Sequence, residues 1–185
     1  MASKRDQKLA NIAKRHGANY SLRIVMEARR AGIPISLGFA LIEQESDFRN
    51  VYGHDDTLSV PKSLPRGQSP RHYPVQGGIV TARNWKVYLS RRGSTGRGGM
   101  QGAGPGQLTY YTFQDRADAL GGCWIAANNI RVAFTDLAAM IDRHGKRKGL
   151  GVYNAGERGW VKGLGHKYAD QVLAKERRWH DRLTA

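Results

Sequence analysis

Residues 37–48, with the sequence LGFALIEQESDF, decide the fold because they place an acidic side chain on the apolar face of a helix. At 3.6 residues per turn, positions spaced four, four and three apart form one stripe, which consists of Leu37, Leu41, Glu45 and Phe48. An ionised carboxylate is costly to bury alone, so Glu45 either pairs with an arginine as a structural residue or keeps its proton. A carboxylic acid that stays protonated near neutral pH is suited to general acid catalysis.

The composition limits the chain to a few classes of protein. Its 185 residues, 40% of them hydrophobic, are enough for one core, and no apolar run reaches membrane-spanning length. The N-terminal residues carry charge but no apolar segment of the kind found in secretory signals. Because Cys123 is the single cysteine, no intramolecular disulfide can form, and we expect a buried, unreactive thiol in a protein made in a reducing cytosol.

The charge of the chain is strongly positive. There are 30 lysine and arginine residues against 15 aspartate and glutamate residues, which gives a formal net charge of +15. A charge of this size indicates a polyanionic partner or surface, and both nucleic acid and the anionic polymers of bacterial cell walls satisfy that requirement. Charge alone does not separate the two.

The distribution of apolar residues, glycine and proline predicts a mainly α (α+β) protein. A basic helix or arm is expected over residues 1–18 and one domain over 19–185, with a small irregular or β-hairpin lobe inserted at about 50–106, where proline and glycine recur. Helices are predicted over residues 4–16, 22–30, 37–48, 81–92, 112–120, 124–144 and 167–182, with a short segment at 150–154.

Polar residues in front of these patterns predict helix caps. Asn19 or Ser21 is expected to cap the second helix, which should end at Gly32. Ser36 is expected to cap the helix that carries Glu45, and residues 112–115 resemble a capping box.

Three other kinds of site fit the sequence poorly. The helix pair around residues 31–34 suggests a helix-turn-helix DNA reader, but its recognition helix would have no lysine or arginine, so no specific nucleic acid partner is expected. The glycine-dense loop at 93–106 lacks the lysine of a phosphate-binding loop. Neither histidine pairs with metalloprotease spacing nor cysteine pairs occur, so we expect no cofactor and no metal.

Three short strings match an ordered family pattern. They are Gln44-Glu45-Ser46-Asp47-Phe48, Gly102-Ala103-Gly104-Pro105-Gly106-Gln107-Leu108-Thr109 and Tyr153-Asn154-Ala155-Gly156. Together they resemble the Glu-Ser-x-Phe, Gly-x-x-Gln-Leu and Tyr-Asn-Ala-Gly motifs of lytic transglycosylases and goose-type lysozymes, over roughly residues 20–182, and residues 168–173 resemble that family's closing helix. The basic form without a signal sequence resembles the catalytic domain of a bacteriophage endolysin.

The resemblance implies a lysozyme-like fold in which a helical core and a small irregular or β-hairpin lobe form a cleft. It assigns the role of catalytic acid to Glu45. It assigns substrate binding to Ser46, Gln107, Tyr153 and Asn154. The family's usual Gly-Leu-Met-Gln is Gly-Pro-Gly-Gln at residues 104–107, so one hydrophobic side chain of the cleft is missing here.

The implied activity is that of a muramidase, which cleaves the β-1,4 bond between N-acetylmuramic acid and N-acetylglucosamine in peptidoglycan. A hydrolase that inverts needs a second carboxylate about 6.5–9.5 Å from the first, and Asp55, with Asp56 beside it, is the candidate. A lytic transglycosylase needs none, because the substrate's N-acetyl group assists and Glu45 then acts as the base. The sequence leaves the two reactions open.

The expected partners follow from this activity and from the charge. They are peptidoglycan glycan strands and anionic cell-wall polymers, with no membrane partner, and the chain is expected to be a monomer. We expect a protein made in the host cytoplasm without a signal peptide that acts at the bacterial cell wall to lyse the host. The alternatives are a basic helical protein that binds nucleic acid and a non-catalytic lysozyme-like protein of a virion.

Overall fold

The computed structural model describes residues 2–53, 73–92 and 101–185, and the described residues are mainly α-helical. This confirms the predicted mainly α class. The helices are α1 (Lys4–Arg15), α2 (Ser21–Ala31), α3 (Ile35–Ser46), α4 (Ala82–Arg92), α5 (Tyr111–Ala119), α6 (Ala126–His144), α7 (Lys146–Val161) and α8 (His166–Thr184). The chain divides into two compact units, one formed by residues 1–48 with 133–185 and the other by residues 49–132.

Helix α3 lies at the centre of the first unit. Its buried surface is wider than the predicted stripe, because Phe39, Ala40 and Ile42 are as fully buried as Leu37 and Leu41. Helices α8 and α2 both pack against α3, and α1 packs against α2 and α8. A helix that is apolar on nearly all sides has to lie inside its unit, and this fixes the position of the acidic residues in its last turns.

The contact between α3 and α8 is built from aromatic rings. Trp179 of α8 is fully buried and stacks on Phe39, with ring centroids 4.8 Å apart. Its indole Nε1 donates a hydrogen bond of 2.5 Å to Oε2 of Glu43. Lys175 and Arg178 lie 3.3 and 3.2 Å from the other carboxylate oxygen of Glu43. Glu43 is thus a structural carboxylate that fixes α8 on α3.

A close approach joins α3 to the part of α6 that belongs to the same unit. A Cβ atom added to Gly38 would lie 3.0 Å from Cζ of Phe134, which is tighter than ordinary packing allows. Phe134 itself is fully buried. The glycine therefore sets the distance between the two helices.

The described part of the second unit is held by a buried polar network. Gln114 of α5 donates from Nε2 to the carbonyls of Gln101 and Leu108, both at 2.8 Å, and accepts from Nη1 of Arg92 at 2.9 Å. Cys123 is fully buried in this unit, and burial raises the pKa of its thiol to about 12, as expected for an unreactive cysteine.

Extended structure is scarce in the described part of this unit. Isolated antiparallel bridges pair Val51 with Ile79 and Tyr52 with Ala103. Two residues before Ile79 the chain turns at Gly77, whose φ is 68°, a value that favours glycine. The β-hairpin of the inserted lobe stays a prediction.

The predicted caps of α2, α3 and α5 are wrong. Helix α2 begins after Tyr20, which has a left-handed backbone, while the hydroxyl of Ser21 donates to the carbonyl of Ala18 and the amide of Asn19 donates to that of Phe48. Helix α3 begins after Pro34, and the N-cap of α5 makes no side-chain hydrogen bond. The side chains of Asn19 and Ser21 are thus used by loop carbonyls, a competition that local patterns do not show.

Helix α7 is much longer than the segment predicted at 150–154. It runs from Lys146 to Val161 with a kink at Gly156, whose φ is 67°. Its glycines lowered the helical signal, but one of them is needed for packing, because a Cβ on Gly149 would lie 2.8 Å from Cα of Ile141 in α6. The end of α2 at Gly32 and of α6 at Gly145 agrees with the prediction.

The longest described helices, α6 and α8, have 19 residues each and carry several charged side chains. Among the residues that the structure describes, no helix combines the length and apolar character needed to cross a membrane.

Candidate functional site

Glu45 lies in the last turn of α3, where the chain leaves the helix sharply. The two residues that follow the helix, Asp47 and Phe48, both have positive φ values, 51° and 58°. This strained turn is held by Phe48, which is buried and meets Trp179 edge-on with ring centroids 5.7 Å apart. Non-glycine residues with positive φ persist only where the surrounding structure supports them, and they concentrate at functional sites.

The carboxyl group of Glu45 is surrounded by protein, whereas the residue as a whole is half-buried. Burial disfavours the ionised form and raises the pKa of Glu45 to about 7. The hydroxyl of Tyr168 in α8 donates a hydrogen bond to Oε1 of Glu45, which stabilises the ionised form and opposes part of this shift. At neutral pH the group is thus a mixture of acid and carboxylate that can both give and take a proton.

Two tyrosines share this location with Glu45. The pKa of Tyr153 in α7 is raised well above its ordinary value, first by burial and then by the charges of Glu45 and Asp136. The pKa of Tyr168 is raised in the same way by burial, by Glu45 and by Tyr153. Both phenols therefore stay protonated and remain hydrogen-bond donors at all pH values at which the protein would work.

Asp136 of α6 adds a second carboxyl group to this cluster. It is buried, with 7% of its surface exposed, and its charge acts on Tyr153. Asp136 was not predicted from the sequence, although a carboxylate within the apolar pattern of a long helix is the same kind of signal that singled out Glu45. Tyr168 was predicted only as part of a closing helix, because its contact with Glu45 depends on how α8 packs.

Four side chains of the first unit, from α3, α6, α7 and α8, thus form one acidic cluster: Glu45, Asp136, Tyr153 and Tyr168. A carboxyl group with a pKa near 7 can protonate a leaving oxygen, and neighbouring phenols can stabilise the carboxylate that results. Within the described ranges, no group of three histidine, cysteine, aspartate or glutamate residues is placed to hold a metal ion.

The remaining predicted residues of the first unit lie next to this cluster in the chain. Ser46 is buried, and its hydroxyl donates to the carbonyl of Ile42 at 3.3 Å within α3. Asn154 follows Tyr153 on α7 and is exposed to solvent. The structure therefore brings Glu45 and Tyr153 together and leaves Asn154 accessible.

Gln107 belongs to the second unit and has a structural task there. Its backbone is left-handed, with a φ of 46°, and its Nε2 donates to the carbonyls of Val51 at 2.9 Å and Gly104 at 2.8 Å. Among the described residues, both hydrogens of the side-chain amide are therefore used, while Oε1 lies next to Gly102, 2.7 Å from where a Cβ atom on that glycine would be.

The loop that carries Gln107 is fastened to α6 by Asn129. The amide of Asn129 accepts from the backbone N–H of Gly106 at 2.7 Å and donates to the carbonyl of Ala103 at 2.8 Å. A Cβ atom on Gly104 would lie only 2.2 Å from Nδ2 of Asn129, so this position requires glycine. The predicted second carboxylate, Asp55, lies outside the described residues, as does Asp56.

The acidic cluster of the first unit and the Gln107 loop of the second unit are the candidate sites that the structure describes. Comparisons with protein-family models, with curated proteins and with solved structures found no match.

Proposed function

We propose that this chain is a muramidase that cleaves the β-1,4 bond between N-acetylmuramic acid and N-acetylglucosamine in peptidoglycan, with Glu45 as the general acid and base. The observation that carries the proposal is the Glu45 carboxyl group, whose pKa is about 7 and which contacts Tyr168 beside Tyr153. The proposed fold is lysozyme-like, with a helical core and a small irregular lobe that form a cleft, as in lytic transglycosylases and goose-type lysozymes. The proposed biological role is that of a phage endolysin.

In the first step, protonated Glu45 gives its proton to the glycosidic oxygen. The bond between the muramic acid C1 and this oxygen breaks, the N-acetylglucosamine leaves as an alcohol, and positive charge develops on the muramic acid ring. Glu45 becomes a carboxylate, and the hydroxyl of Tyr168 stabilises it through the hydrogen bond already present. A pKa near 7 makes both the loss and the later gain of the proton easy at neutral pH.

In the second step, the Glu45 carboxylate takes a proton back. If the proton comes from a water molecule that attacks C1, the reaction is hydrolysis and gives reducing-end muramic acid. If it comes from the 6-hydroxyl of the same sugar, an anhydro ring closes and the enzyme is a lytic transglycosylase. If Asp55 is the base of an inverting hydrolysis, it would take the proton of the attacking water, and Glu45 would regain its proton from solvent.

The other assigned residues would bind and orient the glycan. Tyr153 and Asn154 would donate hydrogen bonds to the sugars, and Oε1 of Gln107 would accept one. Ser46 would hold the last turn of α3, since its hydroxyl already bonds within that turn. The net charge of +15 would keep the enzyme close to the anionic polymers of the wall.

The test is the substitution Glu45→Gln, which keeps the shape of the side chain and removes its acid. We expect the rate at which purified cell walls are cleared to fall by about 10²–10⁴-fold, the usual contribution of a general acid. The matched control is Asp47→Asn, two residues further on and exposed, which should clear walls within about twofold of the parent. If Glu45→Gln clears walls at the parental rate while remaining folded, the assignment of the acid is wrong.

The products distinguish the two reactions. Mass spectrometry of muropeptides released from purified sacculi would show reducing-end muramic acid after hydrolysis and its anhydro form after transglycosylation. Release of peptides alone, with glycan strands left intact, would contradict the proposed activity.

A further inference from the structure

Residues 161–165, which are the last residue of α7 and the turn that joins it to α8, expose two large aliphatic side chains. Val161 is 85% exposed and Leu164 is 68% exposed, and apart from Ile79 in the other unit they are the most exposed large hydrophobic residues in the described ranges. They lie three positions apart in a single tight turn. Exposed aliphatic side chains that occur together mark a surface that binds something apolar more often than single ones do.

The exposure of Leu164 follows from the way in which α7 ends. Gly163 has a φ of 81°, and the N–H groups of Gly163 and Leu164 donate to the carbonyls of Trp160 and Gly159, at 2.9 and 3.0 Å. This is a Schellman motif, in which the residue at the Leu164 position usually packs against the side chain at the Gly159 position. Here that position is glycine, so the leucine has no side chain to cover it.

The turn is also rigid. A Cβ on Gly165 would lie 2.4 Å from the carbonyl oxygen of Gly151, so the backbones of the turn and of α7 touch. The ring of Trp160 occupies the space above Gly151, where an added Cβ would lie 2.1 Å away, and lies 4.1 Å from the ring of His166. The guanidinium of Arg147 lies over the Trp160 ring, 5.5 Å from its centroid. The two aliphatic side chains are therefore presented on a fixed support and lose little backbone freedom when they bind.

Positive charge surrounds the turn. Residues 158–167 contain no acidic residue and carry three exposed cations, none of which forms an ion pair within the parts of the chain that the structure describes: Arg158, Lys162 and Lys167. Of the nearest acids in the sequence, Asp170 is paired with Arg147 at 2.8 Å, and the carboxylate of Glu157 lies 3.3 Å from Nε2 of His144.

We propose that the turn 161–165 docks on the surface of an anionic lipid bilayer, with Val161 and Leu164 entering the boundary of the acyl chains and the surrounding cations meeting the headgroups. An anionic bilayer offers both an apolar phase and negative charge, whereas a wall polymer offers only the charge. A second copy of a chain with a net charge of +15 would be repelled. Such docking needs no membrane-spanning helix, but it departs from the sequence-based expectation of no membrane partner.

The first experiment measures binding of the full chain to vesicles by sedimentation. We expect binding to vesicles of phosphatidylglycerol and phosphatidylcholine and none to vesicles of phosphatidylcholine alone. Val161→Ser combined with Leu164→Ser should lower the partition coefficient at least about tenfold, since two side chains no longer leave water. The matched control is Ile79→Ser, 69% exposed in the other unit, which should bind within about twofold of the parent. Equal binding by the parent and the double variant would overturn the proposal.

A second pair of variants tests whether the charges act locally. Lys162→Gln with Lys167→Gln and Lys4→Gln with Lys8→Gln remove the same net charge from exposed positions. Loss of the pair next to the turn should weaken binding to anionic vesicles roughly tenfold or more. Loss of the pair on α1, outside the turn, should weaken it much less, because the attraction falls off within a Debye length. If both double variants lost vesicle binding equally, the binding would depend only on the overall charge of the chain, which would contradict the proposal.

Insertion is observed directly with an environment-sensitive fluorophore on Val161→Cys. Labelling is selective because the native Cys123 is fully buried. A blue shift with anionic vesicles supports insertion, and binding without a shift overturns it. Dimerisation that depends on Leu164, or binding to soluble polyanions but not to vesicles, would assign the turn to another partner. None of these measurements requires glycan cleavage, so their failure would leave the proposed muramidase activity untouched.

Discussion

At the scale of single residues, the protonation of Glu45 results from two opposed effects. Burial raises its pKa, and the hydrogen bond from Tyr168 lowers it, with the outcome at about 7. The hydrogen bond is formed between two side chains of the protein itself, so it stabilises the carboxylate before any reaction begins. Tyr168 thus sets how easily Glu45 loses its proton.

Replacing this tyrosine should move the pH dependence of activity. In Tyr168→Phe the ionised form of Glu45 loses its hydrogen bond, so its pKa rises further and the alkaline limb of kcat/KM shifts to higher pH. The shift should be about one pH unit, because a hydrogen bond to a charged group contributes roughly 1.5 kcal/mol and one unit corresponds to 1.36 kcal/mol. The measurement is the rate of cleavage of a soluble glycan oligomer from pH 5 to pH 9.

The control for this prediction is Tyr110→Phe. Tyr110 is 48% exposed and belongs to the other unit, so its hydroxyl should not affect the pH profile. A limb that stays in place in Tyr168→Phe, or moves to lower pH, would show that Glu45 is not the group that titrates.

At the scale of elements, the position of α8 decides the site because this helix carries Tyr168. Its other end is fixed by Trp179, which stacks on Phe39 and donates to Glu43. The same helix therefore links the aromatic core to the acidic cluster.

Removal of that contact should be strongly destabilising. We expect Trp179→Ala to lower the free energy of unfolding by about 3–5 kcal/mol, since it leaves a cavity where a fully buried indole stood and removes a hydrogen-bond donor from Glu43. Urea unfolding followed by circular dichroism measures this. Lys167→Ala, at an exposed position of the same helix, should change the free energy by less than about 0.5 kcal/mol. A loss below 1 kcal/mol in Trp179→Ala would mean that this contact contributes little.

The helices were largely predictable from the sequence, whereas their caps and contacts were not. Periodic apolar residues predicted α2, α4, α6 and α8 within a few residues, because the period of 3.6 is a local property. The length of α7 was not predicted, because glycine in general lowers helix propensity. At Gly149 glycine is nevertheless favourable, since another backbone lies against it, a contact that the sequence does not show. Asn19 and Ser21 were assigned as caps but bond to loop carbonyls that only the packed chain brings near.

At the scale of the whole molecule, the net charge of +15 should act on association with the wall and not on the chemical step. Clearing of purified walls should therefore slow down as salt rises from about 20 to 500 mM, because exposed charges are screened over about 4 Å at the higher concentration and over about 20 Å at the lower. Cleavage of a short, uncharged glycan oligomer is the comparison and should stay within about twofold over the same range. An equal salt effect on both substrates would place the effect in the site itself.

The amino-acid sequence by itself determined that the chain is mainly helical and that Glu45 lies on the apolar face of α3, because both depend on spacings of a few residues. Only the tertiary structure decided what surrounds this carboxyl group. Tyr168, which donates to it, is 123 positions away in the sequence, and Asp136 and Tyr153 come from two further helices. The burial of a polar group can be recognised locally, but the partner that satisfies it is set by helices that meet only when the chain has folded.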